Sequence, residues 1–361
     1  MSGRGGRWLV YGANGFTGRL IAAEARERGL EPVLAGRREG AVREVAEPLG
    51  LEWRTFRLDD PLALARGIGD VQAVLLAAGP FSATSAPVVD ACLAEGVHYL
   101  DITGEIPVFE AVFARDSEAR ERGVALVPGV AFNVVPSDCL AASLAVALPD
   151  ADRLVLASAP AHAGPSAGTA RTMVEILGRG GAIRRDGRIV RVPLAWREAE
   201  IPFADRPRHA VSVPWGDVST AGRSTGIPNV VVMMAAPGWT TAAMRALQPG
   251  ARLLGLAPLR RVGQRAVDRW FEGPDEEARR TGRARWWGRA TAPDGRRVEG
   301  TATTPEGYRF TAVAAVEGAC RVAAGPAARR GALSPAQAFG ARFLTELPGC
   351  DLRMGEVTAA G

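Results

Sequence analysis

The sequence predicts an α/β protein in which a doubly wound parallel sheet is followed by a second α+β domain on a mixed, mostly antiparallel sheet. Three observations lead to this fold class. Short apolar segments alternate with helix-forming segments up to about residue 131. The first apolar segment, Trp8–Tyr11, runs directly into a glycine-rich turn and a helix. After about residue 132 the alternation gives way to short strands separated by glycine and proline.

The first domain is expected to contain parallel strands joined by helical crossovers. Glycines at positions 29, 50, 96 and 123 stand where the C-caps of its helices belong. Right-handed crossovers then favour the strand order 3-2-1-4-5-6. The predicted strands are Trp8–Tyr11, Pro32–Ala35, Trp53–Leu58, Ala73–Ala78, His98–Ile102 and Ala125–Pro128. The predicted helices are Arg19–Arg28, Ala41–Leu49, Pro61–Ile68, Ala86–Glu95 and Ile106–Arg122.

The second domain is expected to begin with a helix and then alternate short strands with helices. Asp186-Gly187 and Pro293-Asp294-Gly295 are typical of hairpin turns. The predicted strands are Arg153–Ala159, Ile183–Arg185, Ile189–Val192, Ala210–Val213 and Val230–Ala235. The predicted helices are Ser137–Leu148, Thr169–Leu177, Thr241–Leu254, Arg261–Phe271, Phe310–Ala323 and Pro335–Leu347. We expect domains over residues 1–131 and 132–325, and a C-terminal helix and tail over 326–361 that can pack back on the first domain.

The glycine-rich turn carries the first candidate site. Gly12, Gly15 and Gly18 have GxxGxxG spacing between a predicted strand and a predicted helix, the context of a Rossmann-type dinucleotide site. Gly12 permits the tight turn, Gly15 lets the backbone approach a pyrophosphate, and Gly18 lets helix and strand pack closely. The candidate cofactor-binding residues here are Gly12, Ala13, Asn14, Gly15, Phe16, Thr17 and Gly18.

The residues after the second and third strands indicate which dinucleotide binds. The second strand ends in a sequence that contains Arg37 and Arg38 and no acid to bind a ribose 2′-hydroxyl. Two guanidinium groups suit a 2′-phosphate, so the predicted cofactor is NADP(H). Asp59, after the third strand, either accepts from the adenine amino group or caps the helix that begins at Pro61.

The fourth and fifth strands end in residues expected to face the ligand. Ala78, Gly79, Pro80 and Phe81 are candidates for the nicotinamide side of the site. Hydride transfer to a double bond also needs a proton donor. The candidates at this edge of the sheet are Tyr99, Asp101, Glu105 and His98, with Glu105 the first choice. Asp101 and Glu105 alternatively cap the helix that begins near Ile106. In the second domain Asp217, Thr220, Ser224 and Thr225 either line the substrate side or stabilise a turn.

Composition argues against several other classes of protein. The formal net charge is +5, but the arginines are interleaved with glutamates, which indicates solvated helix faces rather than a nucleic-acid surface. Four cysteines without a CxxC pair, and three histidines, predict no metal site. No apolar run reaches the length of a membrane span, and the early first strand leaves no room for a signal peptide, so we expect a cytoplasmic protein.

The sequence contains no lysine, which narrows the chemistry of the glycine turn. A P-loop needs its lysine for the phosphates, so that interpretation of the turn fails. Schiff-base catalysis and the Tyr-x-x-x-Lys pair of short-chain dehydrogenases are excluded for the same reason.

Several of these motifs together resemble a known family. The matching segments are Gly12–Gly18, Ala35–Arg38, Gly79–Phe81, His98–Glu105, Trp215–Ala221, Ser224–Asn229 and Ser334–Gly340. They make the chain similar to the saccharopine dehydrogenase-like NADP-binding oxidoreductases, which include trans-acting enoyl reductase-like members. The resemblance implies an NADP-binding Rossmann domain, a second domain for substrate binding or dimerisation, and reductase activity.

The resemblance leaves two function hypotheses open. The first is an NADPH-dependent reductase that delivers hydride to the C=N of an imine or the conjugated C=C of an enoyl substrate, small or carrier-bound. The second is a non-catalytic NADP(H)-binding sensor or assembly partner. It is motivated by Asn133 and Val134, which stand where family members often place an acid and a hydroxyl.

Overall fold

The computed structural model describes residues 6–161, 180–239, 241, 242, 245, 275–325 and 329–359. The chain divides into two compact units. The first comprises Met1–Val135 and Tyr308–Gly340, and the second comprises Pro136–Gly307 and Ala341–Gly361. The predicted boundary at residue 325 is therefore corrected, because the chain returns to the first unit at Tyr308 and leaves it again after Gly340. Within the described ranges no helix combines the length and the apolar character needed to cross a membrane.

The strands and helices of the described residues are numbered in chain order. The strands are β1 (Trp8–Tyr11), β2 (Val33–Gly36), β3 (Trp53–Thr55), β4 (Ala73–Leu76), β5 (His98–Asp101), β6 (Ala125–Val127), β7 (Arg153–Ala159), β8 (Gly181–Arg185), β9 (Arg188–Val192), β10 (Glu198–Pro202), β11 (Pro207–Ser212), β12 (Asn229–Ala235), β13 (Arg283–Thr291), β14 (Arg297–Pro305), β15 (Gly331–Ala332) and β16 (Asp351–Met354). The helices are α1 (Phe16–Glu27), α2 (Glu39–Leu49), α3 (Pro61–Ile68), α4 (Phe81–Glu95), α5 (Ile106–Phe113), α6 (Asp116–Glu121), α7 (Val135–Ala147), α8 (Asp217–Thr225), α9 (Glu276–Thr281), α10 (Gly307–Ala323), α11 (Pro335–Phe339) and α12 (Phe343–Glu346).

The first unit is a parallel sheet in the order β15-β6-β5-β4-β1-β2-β3. The predicted order 3-2-1-4-5-6 is confirmed, with β15 added beside β6 by the returning chain. The strands β1, β2, β4 and β6 are buried apolar segments, as expected where helices cover both faces of a parallel sheet, and β5 is buried as well although it contains His98 and Asp101. Their carboxyl ends lie at one edge, where α/β proteins bind ligands.

Three helix predictions in the first unit need correction. The predicted helix Ile106–Arg122 is two helices, α5 and α6. The second begins at Asp116, which with Glu118 supplies the acidic first turn that favours a new N-terminus. Helices α1 and α4 also begin earlier than predicted, at Phe16 and Phe81. Both therefore start directly after the turns that carry the candidate site.

The second unit is a mixed sheet in the order β10-β11-β12-β7-β13-β14-β16, with the β8–β9 hairpin attached to β12. Strands β12 and β7 are parallel, and the other pairs of described strands are antiparallel, which confirms the predicted character of this sheet. Both predicted hairpin turns join paired strands.

Four of the described strands of the second unit were missing from the prediction, namely β10, β13, β14 and β16. The arginines of β13 obscured it, because Arg285 and Arg289 alternate with buried residues such as Trp286. A Cβ atom on Gly288 of this strand would lie 2.8 Å from Leu144 of α7, so α7 packs closely on that face. The predicted helices Thr169–Leu177 and Arg261–Phe271 lie outside the described residues, as does Thr241–Leu254 except at 241, 242 and 245.

Candidate functional site

The glycine turn between β1 and α1 brings the helix, the strand and the end of β4 into close contact. Gly12 has a φ of +92°, and its N–H donates to the Ala35 carbonyl at 2.8 Å. A Cβ atom on Gly12 would lie 2.8 Å from the Cβ of Ala78, and one on Gly18 would lie 2.2 Å from the Gly12 carbonyl oxygen. Both positions therefore require glycine.

The N-terminus of α1 can hold an anion. Gly15 caps this helix without a side-chain hydrogen bond, and the first turn contains no acidic residue. Among the described residues, a Cβ atom on Gly15 would meet only the Gly12 carbonyl oxygen within 4 Å, at 3.3 Å. A ligand can therefore approach the backbone here, and the helix dipole favours a negative charge. The turn fits the pyrophosphate of a dinucleotide.

Arg37 and Arg38 follow β2 and have exposed side chains. Neither guanidinium group takes part in a hydrogen bond or an ion pair within the part of the chain that the structure describes. Arg37 lies near Tyr11: burial raises the pKa of that phenol, and the charge of Arg37 opposes the rise. Two such cations at the end of β2 fit the 2′-phosphate of NADP(H).

Asp59 does not cap the helix that follows it. Its Oδ1 accepts from Arg57 Nε at 2.8 Å, and this bond lowers the pKa of the Asp59 carboxyl. The N-cap of α3 is instead Asp60, whose Oδ1 accepts from the Ala63 N–H at 3.0 Å. Of the two roles predicted for Asp59, capping is therefore wrong, and contact with the adenine stays a prediction.

The turn between β4 and α4 presents backbone toward the ligand edge of the sheet. The peptide bond between Gly79 and Pro80 is cis. A Cβ atom on Gly79 would contact, within the described residues, only the Phe81 ring, at 3.7 and 3.9 Å. The Thr84 hydroxyl donates to the Ala78 carbonyl at 2.7 Å and fixes the start of the turn. The turn therefore has space for a flat ligand beside Gly79.

Glu105 reaches from the loop after β5 to the start of α4. Its carboxylate oxygens accept from the N–H groups of Phe81 at 3.0 Å and Ser82 at 3.1 Å. The N-cap of α4, Pro80, offers no side-chain cap, so Glu105 caps this helix from another element. The alternative that Glu105 caps α5 is wrong, because it precedes that helix without a side-chain capping bond.

Tyr99 and Asp101 form a buried pair in β5. The Tyr99 hydroxyl donates to Asp101 Oδ2 at 2.6 Å, and both residues are fully buried. Asp101 Oδ1 accepts from the N–H groups of Thr103 at 2.9 Å and Gly129 at 2.7 Å. Burial raises the pKa of Asp101 to about 6 and raises that of Tyr99 well above its ordinary value. Asp101 thus ties β5 to its loop and to the end of β6, and the predicted alternative of helix capping is wrong.

His98 is neutral near physiological pH. Burial, assisted by the charge of Arg330, lowers the pKa of its imidazole to about 4. Its Nδ1 accepts from the Ala125 N–H at 3.2 Å. A histidine in this state joins β5 to β6 and is a poor proton donor.

Asn133 binds the same loop that carries Glu105. Its Nδ2 donates to the Thr103 carbonyl at 3.2 Å. A Cβ atom on Gly104 would lie 2.3 Å from that nitrogen, so the amide packs tightly over the turn. Asn133, which stands where members of the similar family often have an acid, therefore holds the backbone of the loop after β5.

The second unit contains a buried polar cluster at the N-terminal ends of α7 and α8. The Ser137 hydroxyl donates to Asp217 Oδ1, and both side chains are buried. Burial raises the pKa of Asp217 to about 7, and the charge of Asp138 adds to the rise. The hydroxyls of Ser224 and Thr225 donate to a carbonyl of their own helix, so these two residues stabilise the helix end.

Comparison with known proteins supports the assignment of the first unit. Residues 8–127 match the family described as the saccharopine dehydrogenase NADP binding domain. The trans-acting enoyl reductases of Mycobacterium tuberculosis and Mycobacterium ulcerans are each 32% identical over 143 residues, which is 36% of this chain and 33% of the relative. The matched part thus spans about a third of these relatives.

The fold of the whole chain has a solved counterpart. The apo form of saccharopine dehydrogenase (L-Glu forming) from Saccharomyces cerevisiae matches with a TM-score of 0.65, covering 97% of this chain and 100% of that one. Sequence identity is 11%, so this likeness shows the fold alone. The match of residues 8–127 confirms the resemblance to this NADP-binding domain and the predicted cofactor, NADP(H).

Proposed function

We propose that this protein is an NADPH-dependent oxidoreductase that transfers hydride to an activated double bond, with the conjugated C=C of an enoyl substrate, small or carrier-bound, as the leading class. The observation that carries the proposal is the start of α1, which has no side-chain cap, together with the two exposed arginines at the end of β2, Arg37 and Arg38. The names of the relatives that match the first unit favour C=C over C=N reduction.

We divide the site residues of the first unit into those that bind the cofactor and those that fix the turns of the protein around it. We assign the pyrophosphate to the backbone N–H groups at Gly15–Gly18 and the 2′-phosphate to Arg37 and Arg38. When bound, NADPH supplies the hydride. Glu105 fixes the turn at Gly79 through the start of α4, and Asp101 fixes the loop that carries Glu105.

The proposed roles of Tyr99, Asp101 and Glu105 follow from their bonds. Each holds another group: Tyr99 donates to Asp101, Asp101 accepts from two backbone N–H groups, and Glu105 accepts from two more. We therefore propose that they position the reaction face, and that the proton for the second atom of the double bond comes from another group or from water.

Deuterium transfer tests the reaction. NADPH with deuterium at the transferable position is incubated with the protein and one of three probes: an enoyl thioester of coenzyme A, the same acyl group on a carrier protein, or a cyclic imine. Mass spectrometry should find deuterium in a saturated thioester. Label in the amine alone would move the substrate class to imines.

A non-catalytic NADP(H)-binding sensor is the second candidate. The observation that favours it is that every predicted proton donor of the first unit is engaged in a hydrogen bond, His98 included. Tight NADPH binding with no label transfer to any probe would select this candidate. A homodimer and a cytoplasmic location also stay predictions, and size-exclusion chromatography with light scattering tests the first of them.

A further inference from the structure

The start of α10 lies against the glycine turn, although it is almost three hundred residues away along the chain. The rings of Tyr308 and Phe16 meet edge to face, with 4.9 Å between their centroids and 78° between their planes. Phe16 is the first residue of α1 and follows Gly15 directly. Tyr308 is therefore a neighbour of the backbone assigned to the pyrophosphate.

The same turn of α10 is bound to the segment after β6. The Phe132 N–H donates to the Thr311 hydroxyl at 3.1 Å, and the rings of Phe132 and Phe310 lie 6.3 Å apart. The next residue, Asn133, holds the Thr103 carbonyl. The start of α10 thus touches both the pyrophosphate end of the site and the support of its nicotinamide end.

These contacts form a continuous path within the first unit. The path begins at Phe16, passes through the start of α10 and the segment after β6, and reaches the β5 loop. Glu105 of that loop then holds the N–H of Phe81 at the turn assigned to the nicotinamide. The path therefore links the two turns that a dinucleotide must contact at its two ends.

We propose that the start of α10 forms a further wall of the cofactor site and that Tyr308 contacts the bound NADP(H). A tyrosine suits this position because its ring packs on ribose or nicotinamide while its hydroxyl bonds to a ribose or phosphate oxygen. The proposal rests on the proposed function, in which NADP(H) occupies the glycine turn. The proposal adds Tyr308 to the site, although the sequence analysis assigned this residue to the second domain.

NADPH fluorescence titration of three variants tests the proposal. Tyr308→Ala removes the ring and the hydroxyl and should raise the Kd for NADPH by about 10-fold or more, the scale of one hydrogen bond to a charged group. Tyr308→Phe keeps the ring and should lie between Tyr308→Ala and the wild type. The matched control is Arg321→Ala, near the other end of the same helix, which should bind like the wild type.

Amide hydrogen exchange gives a second readout that needs no substitution. Addition of NADP⁺ should slow exchange at residues 308–311 as well as at residues 15–18. If the wild type binds NADPH but both Tyr308 variants bind equally well and residues 308–311 show no protection, the inference about Tyr308 is overturned and the proposed function stands. If the wild type does not bind NADPH, both are overturned.

Discussion

Replacing Glu105 by glutamine separates a structural carboxylate from a catalytic one. The carboxylate accepts from two N–H groups at the start of α4, and only 4% of the residue is exposed. Glutamine keeps one acceptor oxygen and places an NH₂ group against the second N–H. The variant loses one charge-assisted hydrogen bond, at about 1.5–3 kcal/mol, and a favourable charge at a helix N-terminus, at about 0.3–1 kcal/mol. We therefore expect Glu105→Gln to destabilise the first unit by about 2–4 kcal/mol.

The assay is urea unfolding monitored by amide exchange in β4 and α4, combined with NADPH titration. Exchange should accelerate first at Phe81 and Ser82, and NADPH binding should weaken as the turn at Gly79 loosens. The matched control is Glu121→Gln, an exposed carboxylate at the end of α6, which should change stability by less than about 0.5 kcal/mol. Unchanged stability and binding in Glu105→Gln, with lost label transfer, would refute this reasoning and restore Glu105 as the proton donor.

Three further substitutions test other parts of the molecule. Arg37→Asp should weaken NADPH binding by about 1.5–3 kcal/mol and leave NADH binding unchanged; equal wild-type affinity for the two would contradict the 2′-phosphate assignment. Gly18→Ala should abolish NADPH binding in titration, because the added Cβ would lie 2.2 Å from the Gly12 carbonyl oxygen. The stability of the wild type should fall by up to about 4 kcal/mol as the pH rises from about 4 to 7, because the folded Asp217 carboxyl has a pKa of about 7 and the unfolded one 3.8. Asp217→Asn should remove this fall. If the unfolding midpoint in urea has the same pH dependence in the wild type and in Asp217→Asn, the contribution of the Asp217 carboxyl to this pH dependence is excluded.

The sign of the Asp217 prediction follows from proton binding. Between the two pKa values the folded chain keeps a proton that the unfolded chain releases, so a rise in pH favours unfolding. Asp205 has the opposite behaviour, because its bonds to Arg208 lower the pKa of its carboxyl to about 2. Asp205→Asn is therefore a control in which the contribution to stability is lost as pH falls.

Local patterns account for what the sequence predicted well. The buried strand before Gly12, the helix after it and the glycine C-caps are all short-range signals, and together they specified the order of the parallel sheet. The arginine pair Arg37 and Arg38 is visible in the sequence for the same reason, since it lies at the end of one strand, and its contact with the 2′-phosphate stays a prediction. Strand β13 was missed because its arginines are typical of a charged surface segment, although half-buried Arg285 and Arg289 each stand between buried neighbours, as in a strand.

Contacts between distant segments account for what was missed. Nothing near Tyr308 in the sequence shows that it returns to the first unit, because 172 residues of the second unit, Pro136–Gly307, come before it. The contact between Glu105 and the start of α4 could more nearly be predicted from the sequence. Leu76 of β4 lies opposite Asp101 of β5, so the loops after these strands are neighbours. A carboxylate four residues past one strand was therefore within reach of a helix that begins five residues past the other.

This register also accounts for the hydrogen bonds that Asp101 and Glu105 make at this edge of the sheet. A turn that must leave room beside Gly79 cannot use a bulky side chain of its own to cap α4. The cap has to come from a neighbouring loop, and Glu105 supplies it from the loop after β5. That loop must then be fixed in turn, which Asp101 does from within the strand and Asn133 does from the segment after β6. The open turn and the buried acids thus both follow from the need for space beside Gly79. A substitution that removes one of these hydrogen bonds should weaken NADPH binding, because it loosens the turn at Gly79.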